Sequence, residues 1–163
     1  MALISEQYRQ LNAELHARKS TYGSGGASIA EMVRVLMVRY GTALDYGCGK
    51  GKLAEVVPDV ACYDPAVERF AAPAKPADVV ICRDVMEHVE NECIDEVLDH
   101  IRSLSRKAAW FAIATRPAKK VLADGRNAHV SIHPSAWWVE KLQSRWNSVE
   151  TIISDREVIA LCE

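Results

Sequence analysis

The segment Ala43-Leu44-Asp45-Tyr46-Gly47-Cys48-Gly49-Lys50-Gly51 sets three glycines at alternate positions behind a short apolar run. A strand running into closely spaced glycines and then a helix brings backbone N–H groups against a ligand. A Cβ at those positions would block the approach or forbid the dihedrals. A phosphate-binding loop needs Gly-Lys followed by Ser or Thr, but Gly51-Lys52 is followed by Leu53. A dinucleotide fingerprint needs glycine at position 52, which is lysine. What stands there is Asp-x-Gly-x-Gly-x-Gly, with Asp45 at the strand end. That carboxylate repels a pyrophosphate and suits the cationic amino group of a methionine moiety. These residues favour a zwitterionic adenosyl ligand over a dinucleotide.

A second carboxylate, Asp64, follows Asp45 by 19 residues and precedes Pro65. An acidic residue about 20 positions on, at the tip of the neighbouring strand, is placed to accept from both ribose hydroxyls. The competing reading is a solvated Asp opening a turn. Beyond the next apolar run come Arg83-Asp84 and Glu87-His88, and then the long link Thr115–His133. That link holds Arg116, Lys119, Lys120, Arg126, His129 and His133 against a single acid, Asp124. A connection of this length without obvious structure is more often functional than not. A basic lid suits an anionic acceptor: a phosphorylated sugar, a nucleotide, a carboxylate or a nucleic-acid end. The plainer alternative is a solvated surface loop. Tyr22, in the turn-forming stretch Thr21–Gly26, is a second lid candidate, folding over the ligand from the N-terminal side.

The elements that position these residues are legible from periodicity. Ile29, Met32, Val33, Leu36 and Tyr40 recur at helical spacing, with Gly41 as a C-cap. Strands are expected at Thr42–Tyr46, Val60–Tyr63, Ala77–Cys82 and Ala108–Ala114, with a short helix at Lys52–Val57. Ala77–Cys82 lacks alternation, as expected of a strand covered on both faces. Ile94, Val97, Leu98, Ile101 and Leu104 mark an amphipathic helix with Asn91 as its expected N-cap. Pro134–Trp146 reads as the last helix, in which Trp137 or Trp138 is expected in the core and the other partly exposed. Val149–Ile153 and Glu157–Leu161 are joined by too short a link for a parallel crossover and should pair antiparallel.

The resulting expectation is an α/β, Rossmann-like fold: a mostly parallel sheet, helices on both faces, and a C-terminal antiparallel hairpin at one edge. It forms one domain, with N-terminal helices and a lid over 1–41 and the core over 42–163.

The chain of 163 residues, with a net charge of −2 and 49% hydrophobic residues, makes no global case for nucleic acid or an anionic membrane. No apolar run approaches the roughly 20 residues that span a bilayer, and the N-terminus lacks a signal-peptide pattern. A cytoplasmic protein is the default expectation. The five cysteines form no CxxC pair and read as buried small apolar residues.

ALDYGCGKG, the Tyr-Asp-Pro that follows, and ADVVICRDVMEHV together resemble the class I S-adenosylmethionine-dependent methyltransferases, over roughly residues 42–162. The resemblance implies S-adenosyl-L-methionine as cofactor and a methyl transfer to an O or N nucleophile. By the same likeness Gly47, Cys48, Gly49 and Gly51 pass under the cofactor, Asp45 faces its methionine end, Asp64 holds the ribose and Pro65 lies near adenine. Arg83 and Asp84 face the methionine end or the acceptor, and His88 or His129 serves as base or orients the acceptor. One departure stands out: between Asp64 and Asp78 the family fits a helix, a strand and a connection, and AVERFAAPAKP is too short for them.

The acceptor is expected to be a small molecule, anionic if the basic link covers it, with nucleic acid left open. The run Asp84-x-x-Glu87-His88 with His129 or His133 is also similar to the metal-binding run of the methyltransferases that act on small-RNA 3′ ends. A metal-assisted RNA-end methyltransferase is therefore one alternative, although no metal is assigned. A cofactor-binding module or partner subunit without turnover is the other.

Overall fold

The computed structural model describes residues 3–163. Chain order is α1 (Glu6–Arg18), α2 (Ala30–Tyr40), β1 (Ala43–Tyr46), α3 (Lys52–Val56), β2 (Val60–Tyr63), β3 (Ala77–Arg83), α4 (Ile94–Leu104), β4 (Ser105–Ala114), α5 (Ser135–Gln143), β5 (Val149–Ile153) and β6 (Glu157–Cys162). The six strands form one sheet in the order β2-β1-β3-β4-β6-β5. β2, β1, β3 and β4 run parallel, while β6 pairs antiparallel with both β4 and β5. The Rossmann-like expectation holds, and the hairpin lies with β6 inside and β5 at the edge.

Continuous apolar sequence explains the central strands. Val79 to Cys82 are buried without alternation because helices cover both sheet faces. On one face α4 and α5 bury Leu98, Ile101 and Trp138 against Val80, Phe111 and Ala160. On the other, Val33, Leu36 and Leu53 from α2 and α3 lie on Val79 and Ile81. Trp138 is the core tryptophan of its pair; Trp137 is half-buried and stacks on His133, their rings 3.8 Å apart.

The segment between Asp64 and β3 contains only a 3-10 turn, Glu68–Phe70, so β2 forms the sheet edge there. Three local expectations are corrected. Asn91 does not cap α4: it opens a 3-10 turn, Asn91–Cys93, and its side-chain oxygen accepts from His133 Nε2 at 2.8 Å. β4 begins three residues earlier than the apolar run, directly after α4, and α5 is shorter than Pro134–Trp146.

The long link after β4 is the largest difference. It is folded, with a bridge between Val121 and Asn127 closed around Gly125. The Asn127 side chain accepts from Ala118 N–H and donates to Ala118 O, both at 2.9 Å. Leu122 and Ala128 of the link pack with Tyr8, Leu15 and Tyr22 into a third, smaller cluster. Tyr8 and Leu15 lie seven residues apart and so share one stripe of α1. The N-terminal segment and the β4–α5 link are thus two halves of one cap, set above the carboxyl ends of the parallel strands. No periodicity in the link announced it, because a bridge of two residues and one Asx-type contact leave no repeat to read.

Candidate active site

The glycine loop that ends β1 forms the floor of the cavity under this cap. Gly47 has φ +76°, and a Cβ there would lie 2.4 Å from the Val85 side chain. The N–H groups of Gly47 and Cys48 both donate to Tyr63 O, at 2.7 and 3.1 Å, which ties the loop to the tip of β2. Asp64 follows immediately. Its Oδ2 accepts from Gly49 N–H and its Oδ1 from Ala66 N–H, each at 2.9 Å, so the carboxylate is held rigidly with lone pairs to spare. A Cβ on Gly49 would fall 2.7 Å from the Gly23 Cα. The cap therefore meets the loop backbone to backbone, and Lys50 fastens the two: its N–H donates to Gly23 O at 2.9 Å and its Nζ to His16 O at 2.8 Å.

These walls enclose about 450 Å³, within the range of roughly 300–1,000 Å³ usual for small-molecule sites. Asp45, Gly47, Cys48, Gly49, Asp64 and Pro65 line one side. Tyr22 and His16 come from the cap, while Arg83, His88, His129 and Arg116 come from the ends of β3, β4 and the link.

Asp45 is buried, and that burial, assisted by the charge of Asp64 and opposed by Arg83, pushes its carboxyl up to about 7. A raised carboxyl holds its proton more tightly folded than unfolded. Its contribution to stability is complete below the ordinary 3.8 and is lost as pH rises through about 7. Between about pH 4 and pH 7 the unliganded wild type is therefore expected to lose thermal stability relative to Asp45→Asn, whose slope lacks this component. A ligand carrying an ammonium group gains affinity over the same interval as Asp45 ionises. Unfolding midpoints across this range check the first point; an unchanged slope in Asp45→Asn contradicts it.

Opposite the loop stand two imidazoles at right angles, His88 and His129, their ring centres 4.7 Å apart. His88 Nδ1 is 2.7 Å from Ala128 O, and His129 Nδ1 is 2.6 Å from Arg116 O. A carbonyl only accepts, so both rings carry their proton on Nδ1 and leave Nε2 as a free lone pair. Burial pushes His88 down to about 3, with His129 adding to the effect. His129 is less buried and is also lowered, mainly by desolvation. Beneath them Glu87 is fully buried: Oε1 accepts from Ala114 N–H at 3.1 Å, Oε2 has no partner among the described residues, and desolvation raises the acid to about 8. One ligand-capable atom from each of Glu87, His88 and His129 lies within 4.8 Å of the other two.

A family model described as "Methyltransferase domain" matches residues 6–152. The chain belongs to that family. Solved structures agree in fold. Burkholderia thailandensis 1,6-didemethyltoxoflavin-N1-methyltransferase, with 1,6-didemethyltoxoflavin and S-adenosylhomocysteine bound, superposes with a TM-score of 0.63 at 14% identity over 96% of this chain and 88% of that one. The N-methyltransferase NodS of Bradyrhizobium japonicum, in complex with S-adenosylhomocysteine, gives 0.61 at 11% identity over 95% and 97%. Magnesium protoporphyrin IX methyltransferase of Synechocystis gives 0.56 at 17% identity over 85% and 84%. Among curated protein sequences none matches. With its glycine loop and acidic β2 tip, the chain is a class I S-adenosylmethionine-dependent methyltransferase.

The methyltransferase gathers most of the residues singled out from its sequence into this cavity and leaves some outside. Gly51 starts α3 with φ +71° and backs onto Phe70, away from the cavity wall. Arg83 Nη1 donates to Gly25 O and to Ser28 Oγ, the latter at 2.8 Å, so it braces the cap as well as lining the site. Asp84 has φ +52°, is half-exposed, and pairs with Arg83 Nε at 3.4 Å. It lines the cavity but is absent from the Glu87–His88–His129 cluster, as is His133, which is held by Asn91 and Trp137. Tyr22 is buried in the cap; its hydroxyl donates to Asn12 Oδ1 at 2.7 Å and stands 3.4 Å from His88 Nδ1. Sequence reasoning missed Asn12 and His16. Both sit on α1, a helix polar enough to pass for a solvated one, and only the hydrogen bond from Tyr22 to Asn12 and the packing of His16 on Gly23 reveal which face is covered. No helix among the described residues is long and apolar enough to cross a membrane.

Proposed function

We propose that this methyltransferase moves the methyl group of S-adenosylmethionine to an oxygen or nitrogen nucleophile of a small anionic acceptor, with His129 as the general base. One observation carries the reading: the same cavity has the cofactor loop on one side and a neutral imidazole with a free lone pair on the other. The sulfonium already makes the methyl group electrophilic, so the protein supplies alignment and a destination for the acceptor's proton. His129 lines the cavity, its Nδ1–H is fixed by Arg116 O, and its depressed pKa keeps it unprotonated at neutral pH. His88 is too deeply buried to hold a proton at that pH and instead packs edge-on against His129 as a positioning residue. Arg83, Asp84 and Tyr22 frame the methionine end and the cap.

Acceptor charge follows from the cap's cations. Arg116 Nε is buried without a partner, and Lys119 lines the same space with no ion pair among the described residues. Lys120, by contrast, is engaged, donating to Thr21 O at 3.1 Å with its ammonium over the Tyr22 ring. A carboxylate or phosphate on the acceptor satisfies Arg116 by a charge-assisted bond. With isotopically labelled cofactor and paired phenols or amines with and without a carboxylate, the acidic partners should be methylated with about tenfold or greater advantage in kcat/KM. Arg116→Gln should erase the advantage. Equal turnover of neutral and acidic partners contradicts the anionic reading.

The Glu87–His88–His129 cluster supports a second reading, a divalent cation that fixes an acceptor hydroxyl, as in the RNA-end alternative. The donor set fits: both Nδ1–H groups are anchored on backbone carbonyls, the usual outer-shell arrangement of metal-binding histidines, and Glu87 Oε2 is orphaned. A cation there would polarise the acceptor oxygen. Arg116 beside the cluster works against it. Turnover that survives exhaustive chelation favours the imidazole base; turnover restored only by manganese or magnesium favours the cation.

A further inference from the structure

His16 on α1 has a place in the site that packing alone does not explain. Its ring lines the same cavity as Asp64, while its Nδ1, on the ring edge turned onto Gly23, is buried without a hydrogen-bond partner among the described residues.

The contacts around it are specific. The ring leans on Tyr22 with centroids 4.5 Å apart. It lies so close over Gly23 that a Cβ there would be 2.4 Å from His16 Cε1. Gly23 in turn abuts Gly49, whose N–H holds Asp64 Oδ2. Imidazole and carboxylate therefore stand on either side of one pair of touching glycines, close enough that the charge of Asp64 acts on the ring. Lys50 clamps this arrangement through the carbonyls of His16 and Gly23. Burial outweighs Asp64, and with Lys50 and Lys120 nearby the ring's pKa is lowered, so His16 is neutral and offers one N–H donor and one acceptor.

Asp64 can only accept. Vicinal ribose hydroxyls give it their protons, and their oxygens then lack a donor. We propose that His16 supplies it: the ring N–H of this cap residue donates to a ribose hydroxyl oxygen of the cofactor whose proton is held by Asp64. This rests on Asp64 being the ribose anchor. The consequence is that nucleoside recognition and closure of the cap are one event, because α1 carries half of the ribose site.

The experiment uses the full chain and measures the affinities of S-adenosylhomocysteine, adenosine, and 2′- and 3′-deoxyadenosine. His16→Phe keeps an aromatic ring against Tyr22 and Gly23 and removes the donor; His16→Asn keeps a donor. His16→Phe is expected to weaken S-adenosylhomocysteine and adenosine alike by about tenfold, with a smaller loss in His16→Asn. The penalty that wild type shows for at least one deoxyadenosine should shrink in His16→Phe. Unchanged adenosine affinity in His16→Phe overturns the proposal, whether or not S-adenosylhomocysteine weakens, since a loss confined to the latter places the ring at the amino-acid end. Asp64→Asn separates the two claims. If it too leaves adenosine affinity unchanged, the ribose anchor falls and His16 with it; if it weakens adenosine while His16→Phe does not, His16 alone is wrong.

Discussion

Asp64→Ala is expected to raise the dissociation constant for S-adenosylhomocysteine by about 100-fold or more, the largest binding effect of any single change in the site. Two hydroxyl donors on one carboxylate are charge-assisted bonds worth roughly 1.5–3 kcal/mol each. The substitution also frees the N–H groups of Gly49 and Ala66 that Asp64 now accepts from, so the glycine loop loses its brace on the β2 side. Asp64→Asn keeps one acceptor oxygen and should fall between wild type and Asp64→Ala. Calorimetric titration checks the order, with far-UV circular dichroism confirming that each variant is folded. A loss of under threefold in Asp64→Ala contradicts the ribose role.

The largest effect on turnover belongs to His129. His129→Ala should reduce kcat by about 10²–10⁴-fold, the usual span for a lost general base, while affinity for S-adenosylhomocysteine stays within about twofold. Loss of kcat without loss of cofactor affinity marks an interaction made with the acceptor and its departing proton. Because His129 is lowered from the ordinary imidazole value of 6.5, the acid limb of the kcat profile should lie below that pH and disappear in His129→Ala. An acid limb that persists unchanged assigns the proton to another group. A kcat drop shared with a large cofactor-affinity loss contradicts the base role.

The parallel core was readable because its signals are local and strong. A buried strand such as Ala77–Arg83 is a run of apolar residues, and a loop that must pass under a ligand leaves glycines at fixed spacing. The hairpin followed from the length of one connection. Gly51 shows the limit of spacing: it matches the motif, yet its positive φ serves the turn into α3, and the cavity wall ends at Gly49. The cap was legible only in part. Tyr22 and the basic link were visible as candidates, but that they fold against each other depends on pairings between Tyr8, Leu122 and Ala128, over 100 residues apart in sequence. Asn91 failed as a cap because His133, brought from 42 residues away, takes its carbonyl. His16 gave no signal at all: a histidine on a polar helix reads as solvated until Gly23 and Gly49 place it.

The measurement that bears most directly on the account is a calorimetric titration of wild-type protein, verified free of copurified ligand, with S-adenosylhomocysteine and separately with NAD. The account predicts one S-adenosylhomocysteine per chain with a dissociation constant in the micromolar range and no measurable heat with NAD. A folded sample that fails to bind S-adenosylhomocysteine, or that binds NAD more tightly, contradicts it.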